Sequence, residues 1–486
     1  MKKHIERIIV FIVACMCLMN FSFASIVNAQ SPYYKIPKYE NFEPNKAANE
    51  IETIVNRKSI IQSSAVDNKI YIDGAAVAQM NNDAVAEIND YINKLNNKGM
   101  YLTRELVNTV TVQIEEMNFS EFVEIVIDSD NLGKITDVNT LKVVFQNNDE
   151  YIALSKDTIN GIAADYKDFR VQIKKLSDTY TVRFLDRDSN IISKYNIDIK
   201  IALPARHSEQ TVYLFMNNTQ ENWGGQYNSV DGTMEFMTKY SGEYNVASPE
   251  IVIDDIDALT SYEQQAIRFM AVRSYFELDD NKFNPDMNLT RYDFAESLVR
   301  MFFALDSEAV CSFPDVDKKH YRYVAASEQS NIVQGFSDGT FRGQENVTAE
   351  QVLALAARTI NQKNGYVYPE NIAKYLNFAS DNIISDWAEK EIALASREGI
   401  YSNEMNLKFV DGITRKDAAV VLYRLFMIMN NTPEGAEVVE YNADKPMYHE
   451  TVWNKTNAII VGSAVIAING IALALSVFII KKKRKG

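Results

Sequence analysis

Histidine and cysteine are too few and too scattered in this chain to build a metal centre or a disulfide framework. His4, His207, His320 and His449 share no ligand spacing. Of the three cysteines, Cys15 and Cys17 fall in an apolar leader, which leaves Cys311 without a partner for an internal disulfide. Nothing around Cys311 singles it out as a nucleophile, and a small buried residue is its expected role. Basic residues are short as well: 50 Lys and Arg face 65 Asp and Glu, for a net charge of −15. Phosphate binding draws on clustered cations, so nucleic acid is set aside as a partner. Asp186–Asn190 opens like a calcium loop, yet Ile191 stands where that loop needs Gly and Ile197 where it needs Glu, so it reads as a hairpin turn. Carboxylates abound, but abundance nominates no glycosidase pair. No cofactor, metal or catalytic residue is expected, and the chain reads as not an enzyme.

Long apolar runs are confined to the two ends. Residues 1–29 read as a secretory signal: Lys2, Lys3 and Arg7 lead an apolar run that ends at Val27-Asn28-Ala29. Ile12-Val13-Ala14-Cys15 also resembles a lipoprotein cleavage box. At the other end, residues 458–480 carry no charge. As a helix they would reach about 34 Å, against a hydrocarbon core of about 30 Å. Five cations, Lys481 to Lys485, follow at once and should stay in the cytoplasm. The expected location is therefore the cell membrane, single-pass, with the bulk of the chain outside facing the cell wall. Gly462, Ser463, Ala467 and Gly470 give this span small faces through which a homo-oligomer could form. With the tail's five cations and the leader's net +2 set aside, the exported part carries −22. Attraction to an anionic wall polymer cannot come from such a field and has to come from individual cationic sites.

Between the ends the chain changes character twice. Residues 30–66 are polar, with Pro32, Pro37 and Pro44, and read as a loose lead-in. Residues 67–248 are β-rich. Alternating or β-branched runs lie at 69–72, 110–114, 122–127, 141–145, 180–184, 197–201 and 211–215. One amphipathic helix, Asp83 to Leu95, interrupts them. Their spacing favours a β-sandwich-like region, closed by a hairpin at 232–236 and 241–246.

From 249 to 430 one pattern recurs three times. Its centres are Leu289-Thr290-Arg291-Tyr292-Asp293, Val347-Thr348-Ala349-Glu350-Gln351 and Ile413-Thr414-Arg415-Lys416-Asp417. An Arg follows each Thr by ten residues, and a Phe precedes it by seven, seven and five. Thr with Asp or Gln three residues on is a capping box, so each copy predicts a turn, a capped helix and a helix packed on it. Arg291 and Arg415 fall at the first helical position, where a cation opposes the helix macrodipole at a cost of up to about 1 kcal/mol. Helix stability does not explain them, and an anion held nearby would.

The three copies resemble S-layer homology modules, which anchor proteins to the cell wall of Gram-positive and related bacteria. The resemblance is clearest in Phe313-Pro314-Asp315-Val316 and Asn331 to Phe341, then in Asp386-Trp387-Ala388 and Ile413 to Asp417. It divides the segment into modules at 249–306, 307–364 and 365–430, with a linker at 431–457. The implied fold class is multi-domain: the β-sandwich-like region, an all-α three-module unit and one C-terminal transmembrane helix. The implied ligand is a secondary cell-wall polysaccharide, often pyruvylated, held in grooves between modules. Carried over by position, Arg291 and Arg415 contact that polymer, Asp338 and Gly339 shape a groove, and Trp387 packs against a sugar ring. Ala349 breaks the motif in the middle copy, and Gln351 replaces its acid. The expected function is to tether membrane to wall, the alternative being a degenerate unit that serves as a spacer or protein scaffold.

Overall fold

The computed structural model describes residues 43–429, apart from 116, 118, 146–149, 217, 229–230, 304, 307–308, 330–334 and 377–382. The expected leader (1–29), linker (431–457), apolar span (458–480) and tail lie outside the described residues.

The polar lead-in does not end as a loose segment. Pro44–Lys58 is a helix, α1, with Pro in its first turn, where a missing N–H costs nothing. Ala47, Ala48, Ile51 and Val55 form its buried face. Strands β1 (Ile60–Ser63) and β2 (Lys69–Tyr71) follow, then helix α2 (Gly74–Asn96), β3 (Thr109–Ile114) and β4 (Val123–Ile127). Helix α3 (Ser129–Lys134) leads to β5 (Thr140–Phe145) and β6 (Tyr151–Ser155), and α4 (Lys156–Asp165) to β7 (Phe169–Leu176) and β8 (Thr179–Leu185). The remaining strands are β9 (Ile191–Ile192), β10 (Lys194–Pro204), β11 (Thr211–Met216), β12 (Thr219–Gly224), β13 (Gln226–Asn228), β14 (Thr233–Tyr240) and β15 (Gly242–Ala247).

Two sheets result, in the orders β1-β3-β5-β6-β10-β14-β13 and β12-β11-β15-β8-β7-β4-β2. One continuous core joins them, with Val112, Leu141 and Ile201 from the first and Ile125, Val171 and Phe184 from the second. The β1–β3, β3–β5 and β2–β4 pairs are parallel, which needs long crossovers, and helices α2 and α3 lie within them. The expected closing hairpin does not form. β14 pairs with β10 and β13 in one sheet, while β15 crosses at Ser241 to pair with β8 and β11 in the other.

The second half carries helices α5 (Ser261–Val272), α6 (Arg291–Phe302), α7 (Tyr321–Gln329), α8 (Ala349–Asn364), α9 (Glu389–Arg397) and α10 (Arg415–Met429). Its centre is extended chain rather than helix. Leu289 N donates to Ile413 O at 2.9 Å, Ile413 N to Val347 O at 3.0 Å and Val347 N to Leu289 O at 3.0 Å. These three buried residues thus close a ring of hydrogen bonds, flanked by bridges between Asn288 and Thr414, Thr290 and Asn346, and Thr348 and Gly412. Each strand-like segment then turns into a capped helix: α6, α8 and α10 start one residue after Thr290, Thr348 and Thr414.

The expected fold class is corrected accordingly. The repeat region is not an all-α unit, because bridged extended segments hold its centre and irregular loops join its helices. Among the described residues no helix is long and apolar enough to cross a membrane. Even α2, at 23 residues, is amphipathic and polar along one side. The expected single-pass location rests on residues 458–480, which lie outside the described residues.

The two halves are clasped together. Arg273, at the end of α5, is 1% exposed and donates from Nε to Gly225 O (2.6 Å) and from Nη2 to Ser208 O (2.7 Å). Arg322 on α7 pairs with Glu221 on β12 at 2.8 Å. On another side Val367 N donates to Thr103 O, next to a buried bidentate pair between Arg104 and Glu52.

Candidate functional site

The ring creates three junctions, each where a capped helix start meets the loop of another segment. At the first, Arg291 begins α6 and its Nε donates to Phe341 O at 2.8 Å. The guanidinium lies 4.8 Å from the Phe341 ring centre and 4.9 Å from that of Phe336. Arg342 covers Phe336 at 4.0 Å, so one ring carries two guanidinium groups. Burial lowers the pKa of Arg291, with Glu345 opposing that effect.

At the second junction Arg415 begins α10 and is seated in the same way. Its Nε donates to Phe283 O at 2.8 Å, and its guanidinium is 5.0 Å from the Phe283 ring and 5.1 Å from Phe276. Nη2 donates to Glu277 O at 2.8 Å, and Nη1 stands 3.6 Å from an Asp293 carboxylate oxygen. Burial again pulls the pKa down. Beside it lies a small cleft with room for about one water-sized sphere, lined by Tyr275, Phe276, Glu277, Asp293, Glu296, Ser297 and Arg415. Burial alone would raise the Glu277 carboxyl, but the hydrogen bond and charge of Lys319, 2.7 Å away, bring it below its ordinary value. The cleft therefore sets a guanidinium that already has three partners beside aromatic rings and carboxylates, and it leaves room only for a small polar group.

The third junction has Ala349, 1% exposed, where the others have Arg. Glu350, the next residue, takes the N–H of Ser385 at 3.1 Å and its hydroxyl at 3.0 Å.

The residues expected to form a site are thus distributed. Arg291, Asp338 and Gly339 share the first junction, linked through Arg342, whose Nη2 lies 2.8 Å from Asp338. Asp338 is exposed, and hydrogen bonds from Thr340 and Arg342 hold its pKa well below the usual carboxylate range. Gly339 has φ +80° and turns the loop. Arg415 stands alone at the second junction. Trp387, 48% exposed, lies in neither of these, with the Arg358 guanidinium 5.9 Å from its ring. The helix-start arginines reach neighbouring backbone carbonyls, which supply part of the compensation that the sequence alone would assign to an anion. Sequence reasoning missed Arg342, Phe336, Phe276, Glu277 and Asp293 as site-lining residues. Only the Phe of each repeat carried a signal, because the rest face another segment's helix. Among the described residues no group of three or more His, Cys, Asp or Glu could hold a metal ion.

Comparison with known proteins bears on one of these segments. Residues 312–353, from the loop before α7 to the first turn of α8, match the S-layer homology domain. The chain is 24% identical over 307 residues (59% of this chain) to an amylopullulanase of Thermoanaerobacterium thermosulfurigenes. It is 28% identical over 206 residues (41%) to exoglucanase XynX of Acetivibrio thermocellus, and 31% over 122 (24%) to an endoglucanase of Bacillus sp. (strain KSM-635). It spans 16%, 18% and 13% of those proteins, less than a fifth of each. The expectation that the chain is not an enzyme is overturned by these relatives, each of which is named as an enzyme. The expected membrane location gives way to the cell-surface association and cell-wall binding to which the domain match points. What the chain contains, on these observations, is an S-layer homology domain at residues 312–353.

Proposed function

We propose that segments 249–306, 307–364 and 365–430 are three related S-layer homology modules that together bind a cell-wall polysaccharide. The observation that carries this reading is the Arg415 seat: a guanidinium beside the rings of Phe276 and Phe283, at the edge of a small cleft that Glu277 and Asp293 also line. Arg291 repeats the same seat at the first junction. An acidic polymer substituent would add an anionic acceptor beside these guanidinium groups, and the rings would exclude water from the contact. Trp387, with Arg358 beside it, gives the polymer a further aromatic face.

The test is sedimentation of the chain with purified wall sacculi. Replacing both arginines (Arg291→Ala with Arg415→Ala) should raise the apparent dissociation constant for sacculi at least about tenfold, which corresponds to about 1.4 kcal/mol. Circular dichroism should stay unchanged. Equal sedimentation of the double variant would remove the arginines from the account, and no sedimentation of either protein would leave the modules as a spacer or scaffold.

A second reading has its own support in the names of the relatives, which are those of glycan-cleaving enzymes. On that reading the chain acts on polysaccharide as well as holding it. Release of reducing sugar from starch, cellulose or wall polysaccharide by the purified chain tests it, and no release from any of the three would reject it.

A further inference from the structure

The three helix starts are equivalent around the Leu289, Val347 and Ile413 ring, but the loops they meet are not. Arg291 and Arg415 each meet a loop in which Phe and Thr are seven residues apart, Phe341 to Thr348 and Phe283 to Thr290. Ala349 meets the loop in which they are five apart, Phe409 to Thr414. The missing two residues change which carbonyl the helix takes. At the first two junctions the second helical amide bonds two residues past the Phe: Tyr292 N to Gly343 O at 2.9 Å, and Lys416 N to Pro285 O at 3.0 Å. That register leaves the Phe carbonyl for the arginine Nε. At the third junction Glu350 N bonds the Phe409 carbonyl itself at 2.8 Å. The acceptor that seats a guanidinium elsewhere is there drawn against the helix start, and the neighbouring Glu350 carboxylate is taken up by Ser385.

We infer that the chain holds two units of wall polysaccharide rather than three, and that the third junction is shut by two coupled changes, the absent arginine and the shortened loop. This rests on the wall-polymer reading above. An arginine alone cannot reopen the junction, because the loop register still places the Phe409 carbonyl against the helix. Reopening needs both Ala349→Arg and two residues inserted between Phe409 and Thr414.

Native mass spectrometry of the chain with short wall-polysaccharide fragments released from sacculi counts the sites directly. The unaltered chain should take up two fragments, and Arg291→Ala or Arg415→Ala one; a single fragment on the unaltered chain overturns the count of two. Ala349→Arg should stay at two. A third fragment on the unaltered chain overturns the inference, as does full occupancy in either single alanine variant. A third fragment gained by Ala349→Arg alone overturns the coupling to the loop. Ala349 is packed, so that variant could fail to fold, but the count on the unaltered chain still decides. Absence of any bound fragment would instead overturn the wall-polymer reading itself.

Discussion

Tyr292 accounts for a glycine whose need is invisible in its own segment. The ring stacks on His320 with centroids 4.1 Å apart, and its hydroxyl donates to Asp315 O while accepting from Asp317 N. A Cβ built at Gly343 would lie 2.1 Å from two carbons of that ring. Gly343 therefore serves close approach, whereas Gly339, with open space around it and φ +80°, serves the turn. Gly343→Ala has to displace a ring held from three sides, so it should cost about 1–3 kcal/mol. Thermal unfolding of the variant measures this, and an unchanged midpoint would mean the ring moves freely.

The capped helices are the elements that sequence and structure share most closely. Thr290 and Asp293, and Thr348 and Gln351, form reciprocal capping boxes at the starts of α6 and α8. Thr348→Ala should cost about 1 kcal/mol, since the hydroxyl is what satisfies the Gln351 N–H. Chemical denaturation checks it, and a loss below about 0.3 kcal/mol would show that the bridge from Thr348 to Gly412 sets the helix start without the cap. These boxes were legible because all their parts lie within four residues. Strands such as 109–114 and 211–216 were legible through alternation in the same local way. Partners were not. Nothing within Thr233–Tyr240 or Gly242–Ala247 says that a one-residue step sends them to different sheets, because the deciding contacts come from β10, β8 and β11. Helix α2 was seen only from Asp83, although Asp73 caps it at Gly74, because its first turns are rich in alanine and carry little apolar contrast. The arginine seats failed for the same reason as the sheets: their acceptors, Phe341 O and Phe283 O, belong to another segment.

Across the whole molecule the seam between the halves turns on a buried cation, Arg273, whose hydrogen bonds go to backbone carbonyls while Glu209 acts on it through its charge. Burial pulls the pKa of Arg273 down to about 10, which still leaves it charged at neutral pH. Its charge is met by the carbonyls of Gly225, Phe269 and Ser208 and by the Phe269 ring at 4.0 Å. The Tyr275 hydroxyl accepts from Gly225 N beside it, so the backbone bend at Gly224 and Gly225 is held from the helical half. Such an arrangement makes the two halves unfold together, because opening the seam strands buried polar groups on both sides. Arg273→Met keeps the length of the side chain but leaves the Gly225 and Ser208 carbonyls without their donor, at a cost of about 2–4 kcal/mol. It should also part the two halves. The infrared band of the sheets reports on one side, since every strand of both sheets ends before Ser248, and helical circular dichroism is weighted to the other. In the unaltered chain both signals should change in a single transition. In the variant the two midpoints should separate, and coincident midpoints with a loss below about 0.5 kcal/mol would show that the seam is held by the Arg322–Glu221 pair and the backbone bonds of Thr103 and Glu105 to Val367 and Gly365 instead.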